Sequence, residues 1–260
     1  MSDTSGRDDN SIELRAQVFE RLNTGGKRLN AQELRNSLYS GPFNDMIIFL
    51  SKEKKFTDAW SIPDHKDNTL ADESVTDELK NNVLYKRMTD VEIVLRFFAF
   101  QEGEKISGSV RSMLDSTMKS NRNMKENEIE TAKRQFRDTL TLAHEVFGED
   151  AFRLPGDGER KGKLSKPLYD AQIISLLRLL DRADEIRAAA PAIKEAVMNL
   201  ARPDSDTYEL MVGRGNTAAT IKDRIAKSPF RNSLRRVQRP LGWSLRNDMI
   251  PDFRGFGRPG

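Results

Sequence analysis

Apolar side chains recur at three- and four-residue spacing along most of the chain, the signature of helices with one buried face. Leu14, Val18, Phe19 and Leu22 predict a helix over 11–23, opened by Asn10 and Glu13. Asn23-Thr24-Gly25-Gly26 stops it, because glycine takes left-handed backbone angles cheaply. Asn30 with Glu33 caps the next helix, which runs through Tyr39 to a break at Gly41-Pro42. Phe43, Ile47, Ile48 and Leu50 mark a third helix over 43–53. Residues 61–75 read as a loop and 77–102 as one helix, whose run from Val91 to Phe100 is apolar on most sides and expected to be buried. Helices follow over 109–122 and 125–147; the second is charged on one face and expected to face solvent, and Gly148 ends it. A basic, glycine-rich loop spans 153–166. The most apolar helix, 167–188, is expected at the centre of the core, with further helices over 190–201 and 217–236. From Arg239 onward proline and glycine predict extended chain. No segment alternates with period two and no internal repeat is visible, so the expected fold is all-α, with eight or nine helices and a strand or two at the edges.

Composition narrows the chemistry. The chain has 260 residues and a mass of 29.6 kDa, enough for one large domain or two small ones. At 37% hydrophobic and 32% charged residues, with a mean hydropathy of −0.65, the core is lean. Cysteine is absent, which excludes disulfides, thiolate-ligated zinc, iron–sulfur clusters and thiol nucleophiles. The two histidines, His65 and His144, are too far apart to form a short ligand pair, so HNH-type nucleases and His-rich metal sites are not expected. No apolar run approaches the roughly 20 residues of a membrane span. Met1 to Asn10 is polar and acidic and lacks the apolar stretch of a signal peptide, so a cytoplasmic protein with no membrane partner is expected.

The net charge of +3 is unevenly spread. Lys222 to Gly260 carries ten basic residues and three acidic ones, whereas the rest of the chain is net negative. Arg231, Arg235, Arg236 and Arg239 crowd one short stretch. Such a cluster suits nucleic-acid phosphates, an acidic protein surface, or a plain solvated helix end, and composition leaves the three open.

Several smaller features were weighed for chemistry. Asp64, His65 and Asp67 are metal-ligand types, in a loop whose scattered carboxylates are more simply solvated. His144 reads as a helix-face residue, and Lys161 and Lys163 as surface lysines of a flexible loop. Phe97, Phe98 and Phe100 read as core rather than as a base-stacking platform. Gly213-Arg214-Gly215-Asn216-Thr217 precedes the last helix, with Thr217 as its N-cap, and forms a second candidate anion site.

The sharpest local feature runs from Phe19 through Asn23-Thr24-Gly25-Gly26-Lys27-Arg28 to Glu33-Leu34-Arg35-Asn36. Two glycines expose the backbone, Asn23 and Thr24 offer hydrogen bonds, Lys27 and Arg28 add positive charge, and a helix start follows. Those are the ingredients of an anion cradle, and equally of a glycine-capped αα-hairpin. It is not a Walker A loop, since the glycine spacing and the following Ser or Thr are lacking.

The segment Val18–Asn36 resembles the signature F-x-x-x-N-T-G-G-x-x-L-x-x-x-E-L-R-N of the GmrSD restriction-endonuclease N-terminal domain family. Val94-Leu95-Arg96-Phe97-Phe98, Leu168-Tyr169-Asp170-Ala171-Gln172 and Thr220 to Ile225 resemble later helices of that family more loosely, so that the likeness covers about 11–230. The resemblance implies a ParB/sulfiredoxin-like nucleotide-binding fold with an attached helical domain. It implies phosphate-facing roles for Asn23, Thr24, Gly25 and Gly26, with Lys27, Arg28, Glu33 and Arg35 as weaker candidates. The family's Asp-Gly-Gln-Gln-Arg motif does not occur in this sequence, nor does its HNH domain.

The organisation implied is therefore the C-terminal part of a ParB-like domain over 1–60, a helical domain over 61–237 and a basic Pro/Gly-rich tail over 238–260. The implied function is a subunit of a restriction-like or anti-phage defence system, not active alone. A protein partner would carry the missing half of the fold, and a nucleoside triphosphate with Mg would bind only in the complex. The alternative is a helical DNA- or RNA-binding module that uses the Arg231–Arg239 tail.

Overall fold

The computed structural model describes residues 29–65, 75–103, 106–156, 161–213 and 215–227. The expected helix over 11–23, the turn and basic pair over 23–28, and the tail from 228 onward lie outside the described residues, as does Asp67. Within them the protein is helical, with thirteen α-helices, two short 3-10 turns and no named strand. The edge strands are replaced by two isolated antiparallel bridges, Ser109 with Thr217 and Arg153 with Leu164.

Helix α1 (Ala31–Leu38) opens on a complete capping box. Asn30 Oδ1 accepts from the amides of Gln32 at 2.8 Å and Glu33 at 2.9 Å, and the Asn30 amide donates to Glu33 Oε2 at 2.6 Å. Pro42 begins α2 (Pro42–Leu50), where its missing N–H costs nothing. The chain then turns at once into α3 (Lys54–Trp60), a helix that the short, mixed sequence did not announce.

The expected helix over 77–102 is three helices. Asn82 takes an extended backbone and caps α5 (Val83–Lys86) through the amides of Leu84 and Tyr85, which ends α4 (Asp77–Asn81) before it. Met88, at φ 51°, sits in the left-handed region and separates α5 from α6 (Thr89–Phe100). Helices α7 (Val110–Asn121) and α8 (Glu126–Phe147) fall where periodicity places them.

The loop 153–166 doubles back on itself: the Leu154 amide donates to Lys163 O at 2.9 Å and the Ser165 amide to Phe152 O at 2.9 Å. Gly162 is needed there, because a Cβ would come within 1.5 Å of Leu154 O. The expected helix 167–188 also divides. Helix α9 (Lys166–Leu177) ends near Leu179, whose ψ of 15° leaves the helical range; a 3-10 turn (Leu180–Arg182) and α10 (Ala183–Ala188) follow. Last come α11 (Ala190–Leu200), α12 (Tyr208–Val212) and α13 (Ala218–Ala226), the last capped by Thr217 as expected.

Two helices organise the packing. Helix α9 is buried on nearly every side, from Leu168 to Leu176, and touches α6, α8, α12 and α13. Helix α8 turns its charged face outward, as expected, and presents Ile129, Phe136, Leu140, Ala143 and Phe147 to α2, α3, α9, α10 and α11. Phe136 is the junction of an aromatic cluster, meeting Phe97 edge-on at 5.2 Å and Phe56 at 6.2 Å. Phe97 and Phe100 are fully buried and Phe98 nearly so, as the sequence predicts. A single apolar core runs from Phe43 to Ile225, so residues on both sides of position 60 share one interior. No described helix is long and apolar enough to cross a membrane.

Candidate functional site

Of the residues that the signature singles out, Leu29, Glu33, Leu34, Arg35 and Asn36 are described; the polar ones, with the neighbouring cap Asn30, are held by the chain itself. Asn30 Nδ2 donates to Arg87 O at 2.6 Å, Arg87 Nη1 lies 3.4 Å from Glu33 Oε1, and Asn36 Nδ2 reaches Met88 Sδ at 3.2 Å. Three side chains of one helix thus grip the left-handed turn at Arg87–Met88. Arg35 is 3% exposed: its Nε donates to Asp115 Oδ1 at 2.6 Å, and its Nη1 lies 3.3 Å from Gln32 Oε1 and 3.9 Å from Glu92 Oε2. Its guanidinium is enclosed by the protein's own acceptors. Asn23, Thr24, Gly25, Gly26, Lys27 and Arg28 lie outside the described residues, as do Arg231, Arg235, Arg236 and Arg239.

The other candidates resolve simply. Asp64 pairs with Lys54 at 3.3 Å and Lys161 with Glu149 at 2.6 Å, while His144 and Lys163 are exposed. No group of three metal-ligating side chains occurs among the described residues. His65 packs edge-on against Tyr85 at 5.5 Å, and both its ring nitrogens are buried without a hydrogen-bond partner. Burial holds its pKa below the ordinary imidazole value, with Lys52 adding to the effect and Asp64 opposing it.

The structure also builds a polar centre that the sequence did not reveal. Arg96 of α6 donates from Nε to Asp170 Oδ1 of α9 at 2.9 Å and from Nη2 to Asp170 Oδ2 in a second, very short contact. Arg224 of α13 approaches the same Oδ2 from Nη1 at 3.3 Å, and its Nε donates to Leu210 O at 2.7 Å. Asp170 and Arg224 are wholly buried and Arg96 is 5% exposed. One carboxylate therefore serves two guanidiniums. Burial lowers the Arg224 pKa, Asp170 opposes that, and the neighbouring Arg96 charge reinforces it. Arg96 is held above the usual arginine value by Asp170, against its own desolvation. A charged residue inside an otherwise apolar helix, as at Arg96 and Asp170, was the available signal.

This triad borders a cleft of about 270 Å3 between the starts of α7, α9 and α13. Glu92, Arg96, Lys166, Pro167, Gly213 and Asn216 line it. Gly213, at φ 100°, lies so close to Pro167 that a Cβ would come within 2.8 Å of Cγ. Lys166 Nζ reaches Glu92 Oε1 at 3.0 Å. The wall is pinned by backbone bonds from Val110 N to Asn216 O at 3.1 Å and from Ala218 N to Gly108 O at 2.9 Å. Two residues of the second candidate anion segment, Gly213 and Asn216, thus line the cleft, while Thr217 is occupied in capping α13.

A second isolated acid is Asp90, at the start of α6. It is 3% exposed, with Oδ1 unpartnered. Burial raises its pKa to about 7, against the pull of the Val91 and Asp90 amides, the Ser51 hydroxyl and Lys52. Compared with protein-family models, with curated proteins and with solved structures, the chain shows no significant match to any of them.

Proposed function

We propose that this protein is a partner-dependent subunit whose glycine turn, Asn23 to Gly26 with Lys27 and Arg28, contributes one side of a nucleotide phosphate pocket in a restriction-like or anti-phage defence complex. The observation that carries the reading is the resemblance of Phe19–Asn36 to the family signature at its specified positions. The described half of that signature supports it. Glu33, Arg35 and Asn36, with the cap Asn30, fasten α1 to the helical body, so the reading places the phosphate contacts on Asn23 to Arg28 rather than on Arg35. The first amides of α1 are taken by Asn30 and Glu33, so the helix would contribute its positive dipole end and the glycine turn the N–H donors.

A phosphate pocket needs several convergent donors, and a single turn supplies only some of them. The rest would come from a partner chain carrying an Asp-Gly-Gln-Gln-Arg motif; a nucleoside triphosphate with Mg would then be held between the two. The test is equilibrium binding of a nucleoside triphosphate to this chain alone, to the partner alone and to the mixture. Binding is expected in the mixture only, weakened at least about tenfold by Asn23→Ala. Binding by the mixture that is indifferent to Asn23→Ala contradicts the reading.

A further inference from the structure

We propose that the cleft beside the Arg96–Asp170–Arg224 triad is a binding site for a small phosphate-bearing molecule, built from residues other than those of the glycine turn. The charge count is the first reason. Around the cleft and the triad, four cations (Arg35, Arg96, Lys166 and Arg224) are joined to three carboxylates, Glu92, Asp115 and Asp170. The surplus positive charge falls at the buried end, where Asp170 alone faces two guanidiniums and Glu92 is already shared between Lys166 and Arg35. An uncompensated charge at low exposure is costly, and an anion beside it recovers part of that cost.

The second reason is access. The cleft reaches the triad through Arg96, which lines it together with Lys166, Gly213 and Asn216, whereas Asp170 and Arg224 lie outside the lining. Glu92 also lines it, so an incoming anion meets one carboxylate, itself tied to Lys166 and Arg35.

The chemistry selects the ligand class. The planar fork of Arg96 is spent on both oxygens of Asp170, so the bidentate partner that a carboxylate prefers is already occupied. Beside it stand the Lys166 ammonium, a compact point charge with two N–H donors beyond its bond to Glu92, and Asn216, a set that suits a tetrahedral oxyanion. The volume of about 270 Å3 takes a phosphate with a small substituent and is at the lower end for drug-sized ligands, which points to a phosphate monoester rather than a polymer.

The experiment uses the full chain, titrated calorimetrically and by amide chemical shifts with inorganic phosphate and separately with a nucleoside monophosphate, with sodium chloride holding the ionic strength constant. Either probe binding while chloride at equal ionic strength does not supports the site; binding of the monophosphate alone identifies an organic phosphate as the ligand. Lys166→Met, which keeps the aliphatic stem, is expected to weaken binding at least about tenfold, and Lys161→Met, away from the cleft, to leave it unchanged. Should Lys166→Met not fold, Asn216→Leu, which fills the cleft, gives the same loss. No binding of either probe by the folded protein, or undiminished binding in folded Lys166→Met and Asn216→Leu, overturns the proposal. Asn23→Ala is expected to leave this binding intact, which separates its failure from that of the glycine-turn reading.

Discussion

Two buried charges carry the energetics at the residue scale, in opposite ways. Asp90 is an acid whose folded pKa, about 7, lies above its ordinary value of 3.8. The folded state therefore holds its proton through a range in which the unfolded chain has released it, so stability falls as pH rises from about 4 to about 7 and levels off above. Three pKa units correspond to roughly 4 kcal/mol, and Asp90→Asn is expected to remove that slope and to stabilise the protein at pH 8, as read by urea unfolding across pH. His65 acts in the other direction: its depressed pKa favours folding above its ordinary value, an advantage lost as pH falls through its folded pKa, and that acid-side loss persists in Asp90→Asn. An unchanged pH profile in Asp90→Asn would show that the Asp90 carboxyl is not the titrating group.

Asp170 differs in its partners: both its oxygens meet guanidinium groups, those of Arg96 and Arg224. Asp170→Asn leaves two buried guanidiniums facing each other without a counter-charge, at an expected cost of about 3–5 kcal/mol. Arg224→Met is expected to cost clearly less, because the Arg96–Asp170 pair it leaves behind is neutral and doubly hydrogen-bonded. Denaturant midpoints for the two variants check the order, and an equal loss would mean that the triad is not electrostatically lopsided.

At the scale of elements, local signals were legible where they were strong. The Asn30–Glu33 box, the long amphipathic α8 and the apolar α9 stand where spacing and caps put them. The breaks within 77–102 and 167–188 were hidden, because the apolar spacing continues across them. Asn82 interrupts one by taking two amides for its own side chain, and Met88 is held left-handed beside a turn that Asn30 and Asn36 grip from 52 or more residues away. The charged face of α8 meets solvent as read, but the width of its apolar stripe, which serves five helices, was not legible. Asn30 ties these together, since it caps α1 and holds Arg87 O at once. Asn30→Ala is expected to cost about 1–2 kcal/mol in chemical denaturation, the upper range for a cap because the tertiary bond goes too. A cost near zero would mean that α1 is placed by packing alone.

For the whole molecule, helical class followed from the pattern of residues, whereas the apolar interior shared across position 60 and the polar centre did not. Arg96 meets Asp170 across 74 residues and Arg224 meets it across 54, and nothing in local spacing encodes such a meeting. Its three members nonetheless fall within the three later stretches that resemble the family's helices, around Arg96, Asp170 and Thr220–Ile225. Those stretches are thus brought together by the fold, while Asn30, Glu33, Arg35 and Asn36 of the first block fasten α1 to the same body. On this account the helical body is a platform, and the nucleotide chemistry belongs to the turn ahead of α1 and to a second chain docked beside it. The most direct measurement is photolabelling of the purified complex with an azido-nucleoside triphosphate, followed by peptide mapping. The account predicts label on this chain at residues 19–28, present in the complex and absent when the chain is labelled alone; label confined to other parts of the chain, or equal label on the isolated chain, would contradict it.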